Sequence, residues 1–413
     1  MGEHGMVIVG AGEAGARAAV ALRENGFAGP VTLIGDEVHR PYERPPLSKA
    51  VMTAEAAPPA ATIVTEERLA EHGIVHRAGI AAIDIDRAGR QVILTDGSGV
   101  AYDRLLLATG AAARSLPVLG ATLPDVLALR TFDDALAMRE RLAPGRRIVV
   151  IGAGFIGLEI AASARSRECE VVVLEMAPRV LMRGVPEAVA ALVRTRHESA
   201  GVVFRFGVTI DRIVAAPDGL SVQLGGGDAL ACDLVVVGIG AVPRIDLASA
   251  AGLAIDNGIA VDTQLRTDDP DIYAAGDCCS FPHPLYGGRR LRLEAWRNAQ
   301  DQGNYVARAM LAHSPEPYAA VPWFWSDQYD QELQIAGLPD EASQTLCREI
   351  AGNAKLFFHL ASDGRLVAAS GIGPNRLIAK DMRVAEMMIS RALRPDQAAL
   401  VAPQTKLKTL LAA

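Results

Sequence analysis

Short, continuous apolar runs alternate with helical stripes along the first part of the chain. Met6–Val9 is followed by an alanine-rich stretch, Ala14–Asn25, and then by a second run, Val31–Ile34. Unbroken runs of this length suit strands covered on both faces, so the pattern predicts parallel βαβ units. The rhythm returns at Leu105–Leu107. It appears again at Arg147–Ile151, followed by a helix through Leu158 to about Arg167, a strand over Glu170–Leu174 and another at Leu234–Val237. From about Pro322 the spacing changes. Strands over Leu333–Ile335, Lys355–His359 and Leu366–Ser370, then a helix over Asn375–Ala392, predict a small α+β unit.

Two of the strand-to-helix junctions carry the same glycine spacing, Gly10-Ala11-Gly12-Glu13-Ala14-Gly15 and Gly152-Ala153-Gly154-Phe155-Ile156-Gly157. The first glycine permits the tight turn, the second lets a pyrophosphate approach the backbone, and the third lets helix and strand pack closely. Unpaired N–H groups and the helix dipole then favour an anion at the helix start. One such motif is weak evidence. Two in this context predict two bound dinucleotides, as a nicotinamide-to-flavin oxidoreductase requires. Asp36, after the second strand, lies somewhat beyond the usual spacing of about 20 residues for a ribose-binding carboxylate, and Glu175 lies close to it. Glu175 predicts NADH over NADPH, because a carboxylate there repels a 2′-phosphate. Arg179 and Arg183 nearby count against it.

At 413 residues the chain calls for two or three domains. Its net charge of −7 argues against a nucleic-acid partner. No apolar stretch reaches the roughly 18 residues of a membrane span, and the N-terminus enters a strand without a signal-like segment, which predicts a cytoplasmic protein. The five cysteines include no Cys-x-x-Cys or Cys-x4-Cys pair, so no dithiol relay and no metal site are expected.

Further segments carry a family resemblance. Arg44-Pro45-Pro46-Leu47-Ser48-Lys49, Ala108-Thr109-Gly110, Leu129-Arg130-Thr131, Thr267 to Asp277 and Trp323-Phe324-Trp325-Ser326-Asp327-Gln328 together resemble the NADH-dependent ferredoxin reductases of bacterial oxygenase systems. The resemblance implies an α/β fold of two Rossmann-like, glutathione-reductase-like domains plus a small α+β C-terminal domain. It implies a discontinuous FAD domain over 1–113 and 242–320, an NAD domain over 114–241 and a C-terminal domain over 321–413.

It further implies that Arg44, Lys49, Ala82, Arg130, Asp277 and Trp296 contact FAD, with Asp277 at a helix start. Gly240 would lie beneath the nicotinamide. Lys49 and Glu159 would pair at the cofactor junction, with Glu159 in the first turn of its helix, and Trp325 would cover the flavin or carry electrons. The implied activity is hydride transfer from NADH to FAD, then single electrons to a [2Fe–2S] ferredoxin serving a haem monooxygenase or a Rieske dioxygenase. Rubredoxin, nitrite and monodehydroascorbate reductases, and a flavoprotein resembling apoptosis-inducing factor, stay open as alternatives. Arg289, Arg290, Arg292 and Arg297 form a candidate docking surface for an acidic ferredoxin.

Overall fold

The computed structural model describes residues 4–312 and 316–412. Two compact units emerge, one built from residues 1–43, 60–112 and 242–322, the other from 44–59, 113–241 and 323–413.

The first unit centres on a five-stranded sheet in the order Ile272–Ala274, Arg104–Leu107, Met6–Val9, Val31–Ile34 and Ile74–Arg77. Every neighbouring pair is parallel. The central run, Met6 to Val9, is buried throughout, as expected of a strand with both faces covered. Helices Glu13–Glu24 and Trp296–Met310 belong to this unit. They pack closely because Gly303 leaves no room for a side chain: a Cβ there would come within 2.5 Å of the Ala14 carbonyl oxygen. Three antiparallel strands, Ala82–Asp86, Gln91–Leu94 and Gly99–Ala101, form a separate small sheet.

The second unit repeats the plan with strands Val202–Phe206, Glu170–Glu175, Arg147–Ile151, Leu234–Val237 and Val126–Ala128, again all parallel. An antiparallel sheet, Ile210–Ala216, Gly219–Leu224 and Ala229–Cys232, contributes Ile213, Leu220 and Val222 to a shared core with Val149, Ile151 and Leu174. The helix Phe132–Arg141 begins with a capping box between Thr131 and Asp134. Arg139, on the same helix, is buried and ties down the 44–59 segment. Its guanidinium donates to the carbonyls of Val51 (2.8 Å), Met52 (3.3 Å), Ala54 (2.6 Å) and Glu55 (3.0 Å). The C-terminal part is a five-stranded antiparallel sheet in the order Trp323–Gln328, Gln331–Gly337, Leu366–Gly373, Lys355–Leu360 and Gln344–Glu349, with helix Asn375–Ser390 packed on it.

Two imidazoles in this unit are held neutral by their surroundings. Burial pushes His197 and His359 down from 6.5 to about 4, because the charged ring is the form that loses solvation. The unfolded chain therefore binds more protons than the native one between these values. The resulting stability is present above pH 6.5 and is lost as pH falls through 4. Going from pH 7 to pH 5 is expected to cost about 2 kcal/mol per imidazole. A calorimetric Tm that falls less steeply with acid in His359→Gln than in the wild type is the expected result; identical slopes contradict it.

Candidate functional site

Each glycine fingerprint has the same local geometry. Gly10 and Gly152 take φ of +111° and +103°, and a Cβ on either would strike a carbonyl oxygen, of Ala108 at 2.1 Å or of Gly238 at 2.4 Å. Gly15 and Gly157 are closed in by the loop itself, with the Gly10 and Gly152 oxygens at 1.9 and 2.1 Å from the ideal Cβ position. The middle glycines are different. A Cβ on Gly12 would meet nothing within 4 Å, and one on Gly154 only the Gly238 oxygen at 4.0 Å. Each loop is thus jammed against the end of the neighbouring strand and against its own helix start, but open where a phosphate would lie. The cradles fit a diphosphate.

In the first unit, several distant segments gather at this cradle. Gly276 sits against the fingerprint helix, its ideal Cβ 3.1 Å from the Ala14 Cβ, so Asp277 is brought beside the helix start. The Gly276 N–H donates to Gln302 Oε1 at 2.7 Å. Asp277 does not begin a helix as the sequence pattern suggests. After a turn closed by the Cys279 N–H on the Gly276 oxygen, the chain enters the strand Cys279–His283. Gln302 has taken the Gly276 N–H, and the apolar run that follows is buried as a strand.

Trp296 is the first residue of its helix, and Gln300 on the same helix donates to Glu13 Oε1 at 3.3 Å. Glu13, inside the fingerprint, was missed at sequence level. Burial, slightly reinforced by Glu43, pushes it up to about 7 against the pull of Gln300 and Arg17. Asp36 is exposed and paired with Arg244 at 2.7 Å. Ala82 opens its antiparallel strand, half-buried, opposite Leu94.

In the second unit, Glu175 uses both carboxylate oxygens on the loops around it. Oε2 accepts from the Ala153 N–H at 2.7 Å and Oε1 from the Ala177 N–H at 2.8 Å. Ile156 is exposed at the loop. Arg179 donates to the carbonyls of Val180 (3.1 Å), Leu181 (3.3 Å) and Val185 (3.1 Å), so its guanidinium braces its own loop. Gly240 takes φ of +105°, and the Arg183 guanidinium lies 3.6 Å from where its Cβ would be.

Lys49 and Glu159 meet, Nζ to Oε1, at 3.0 Å. The helix spans Phe155–Ser166, which places Glu159 in its second turn rather than the first. The helix dipole is weak there, and other donors hold the carboxylate instead. Ser48 Oγ donates to Oε2, and Ser326 Oγ donates to Oε1 at 2.6 Å. Only 4% of the Glu159 side chain is exposed, against 22% for Lys49. Arg44 Nη1 donates to the Arg130 carbonyl at 2.5 Å, joining two segments singled out from the sequence.

Strand alternation sends Phe324, Ser326 and Gln328 to one face of the C-terminal sheet. Phe324 packs on Phe155 of the second fingerprint with ring centroids 3.9 Å apart. Trp325 lies on the other face, opposite Gln334 and next to the Asp327–Glu332 pair. Glu332 is pushed up by burial and pulled back by the Gln334 amide and Lys49. Of the four candidate docking arginines, three are neutralised locally: Arg290 by Asp256 (3.3 Å), Arg292 by Glu294 (2.6 Å) and Arg297 by Asp301 (3.7 Å).

Among the described residues no cluster of metal-ligating side chains occurs, and all five cysteines are free. No helix among them is long and apolar enough to cross a membrane.

The model of the family described as pyridine nucleotide-disulphide oxidoreductase matches residues 4–303, and that described as reductase C-terminal matches 323–411. The anthranilate 1,2-dioxygenase system ferredoxin–NAD(+) reductase component of Burkholderia cepacia is 40% identical over 410 residues, 98% of each chain. The ferredoxin reductase for the CYP199A2 system from Rhodopseudomonas palustris superposes with a TM-score of 0.93 at 39% identity, covering 98% of this chain and 99% of that one. The reductase in the covalent putidaredoxin reductase–putidaredoxin complex gives 0.94 at 35% identity, covering 100% and 99%. With its paired cradles and this likeness along almost its whole length, the chain belongs to the pyridine nucleotide-disulphide oxidoreductase family, among the ferredoxin reductases of oxygenase systems, and is an oxidoreductase.

Proposed function

We propose that the protein is an FAD-dependent NADH:ferredoxin reductase that delivers electrons to a [2Fe–2S] ferredoxin, and through it to a haem monooxygenase or a Rieske dioxygenase. The observation that carries this reading is the repeated cradle, open at Gly12 and at Gly154 and closed elsewhere. When bound, FAD converts the two-electron donor NADH into the one-electron steps that an iron–sulfur protein accepts.

The remaining work falls to the chain. The first cradle, with Asp277, Trp296 and Ala82, holds FAD; the second, with Glu175 and Gly240, holds NADH. In this reading residues 1–113 and 242–320 are the FAD domain, 114–241 the NAD domain and 321–413 the C-terminal domain. The neutral form of Glu13, favoured by its burial, lowers the negative charge facing a diphosphate. Lys49 supplies positive charge to the reduced cofactor, Glu159 orients the nicotinamide carboxamide, and Trp325 shields the site. Glu175 retains lone pairs for the ribose hydroxyls and repels a 2′-phosphate, while Arg179 is committed to its own loop. The free, mostly buried thiols suit the reducing cytoplasm.

The deciding experiment is anaerobic mixing of the yellow holoprotein with NADH and an oxygenase-type [2Fe–2S] ferredoxin. Rapid, NADH-dependent bleaching of the ferredoxin is expected. A protein that takes up no FAD, or that reduces no such ferredoxin, overturns the proposal.

The two cradles are separable. Gly12→Val should yield colourless protein, whereas Gly154→Val should stay yellow and lose reduction by NADH; the reverse pattern would exchange the assignments. NADH should be preferred over NADPH by at least about tenfold in kcat/KM, and Glu175→Ala should narrow that ratio. An unchanged ratio in the variant removes Glu175 from cofactor selection. Lys49→Met should slow reduction of the flavin by NADH about 100-fold, the scale of a lost electrostatic stabiliser, with FAD retention little changed. Equal rates would remove its role.

A further inference from the structure

The Ser326 hydroxyl is one end of a longer hydrogen-bonded series within the second unit. Gln328 Nε2 donates to Ser326 Oγ at 2.9 Å, and His197 Nε2 lies 2.7 Å from Gln328 Oε1. Tyr329 OH lies 3.2 Å from His197 Nδ1. Ser326, Gln328 and His197 are buried. They come from two separate elements, the strand Trp323–Gln328 and the helix Glu187–Ser199, while Glu159 lies on a third, the helix Phe155–Ser166.

The order of donors admits one arrangement. Ser326 spends its only proton on the Glu159 carboxylate, so Gln328 must present its NH2 to the serine oxygen and its carbonyl to His197. That carbonyl needs a donor, which places the His197 proton on Nε2 and leaves Nδ1 to accept from Tyr329. Every bond therefore points toward Glu159. The imidazole is kept in its neutral form by burial and by the neighbouring Arg196 charge. Arg196 is itself held outside, over the Tyr329 ring at 4.3 Å and against Asp330 at 2.7 Å. A side-chain amide has no second proton site at ordinary pH, so Gln328 interrupts any proton path. The series holds a group in place and conducts nothing.

We propose that Ser326, Gln328 and His197 are positioning residues that set the Glu159 carboxylate for its contact with the nicotinamide. The proposal rests on the role given to Glu159 above. Lys49 and Ser48 hold Glu159 from the 44–59 segment; this series holds it from the opposite, C-terminal part of the chain. With Ser326 absent, one carboxylate oxygen keeps Lys49 alone, and the side chain gains freedom to rotate.

The test compares S326A, S326T, Q328M and E159Q holoenzymes in anaerobic stopped flow, with ¹⁵N spectra of histidine-labelled protein as a readout apart from turnover. S326A and Q328M should lower the saturating rate of flavin reduction about tenfold, the scale of a misplaced reacting group. The dissociation constant for NADH should change less than about twofold, since drift affects the reacting geometry more than ground-state binding. S326T should recover most of the rate. Wild-type His197 should show the Nε2–H tautomer, and Q328M should lose it. If E159Q is slow but S326A and Q328M match the wild type, the positioning series is wrong and the role of Glu159 stands. If E159Q also matches the wild type, that role fails and the series fails with it. S326A and its S326T rescue suffice if Q328M does not fold.

Discussion

A carboxylate taken almost entirely out of water is the constraint around which the second unit is arranged. Burying an ion costs several kcal/mol even after relaxation, and that cost is offset only when partners with good geometry surround it. Glu159 has three such donors: Lys49 and Ser48 from one segment and Ser326 from another. Removing one partner from a buried pair typically costs about 3–5 kcal/mol, because the other charge is left uncompensated. Lys49 remains partly hydrated, so its own desolvation is smaller. Ser163 Oγ, donating to the Ser48 carbonyl at 2.6 Å, and the four carbonyls gripped by Arg139 keep the 44–59 segment in register with the carboxylate.

The two glycine cradles share one backbone solution. The positive φ at the first glycine and the crowding at the third are almost identical in both, because they arise from close packing of strand, loop and helix. They differ in the side chains nearby. The first cradle carries a buried acid of its own, Glu13, whose neutral form is favoured up to about pH 7. The second receives Glu175 from the end of the next strand, and this carboxylate bonds the loop N–H groups directly.

Much of the fold was legible in the chain. Met6–Val9, Val31–Ile34, Arg147–Ile151 and Leu234–Val237 read as strands because each is a continuous apolar run, and each is a strand at those bounds. The C-terminal strands run one to four residues longer than the pattern indicates, since their ends carry polar residues such as Gln331 and the small residues Gly371 and Gly373. The helix start at Asp277 was misread because a Gly-Asp turn serves a strand as readily as a helix. Glu159 falls one turn later than the pattern suggests because the helix already begins at Phe155, inside the fingerprint, rather than after Gly157. The basic look of Arg290, Arg292 and Arg297 faded once their acidic neighbours were placed.

The glycine spacing, the strand-terminal carboxylate Glu175 and the lysine after two prolines are local features, and the sequence alone determined them through backbone sterics and chain direction. His197, Gln328, Glu13 and Glu332 have no such signature. Their roles depend on burial and on partners distant along the chain, so only tertiary packing decided them. Charge and hydrogen-bond strength depend on what excludes water from a group, and that is a property of the folded surroundings rather than of the residue.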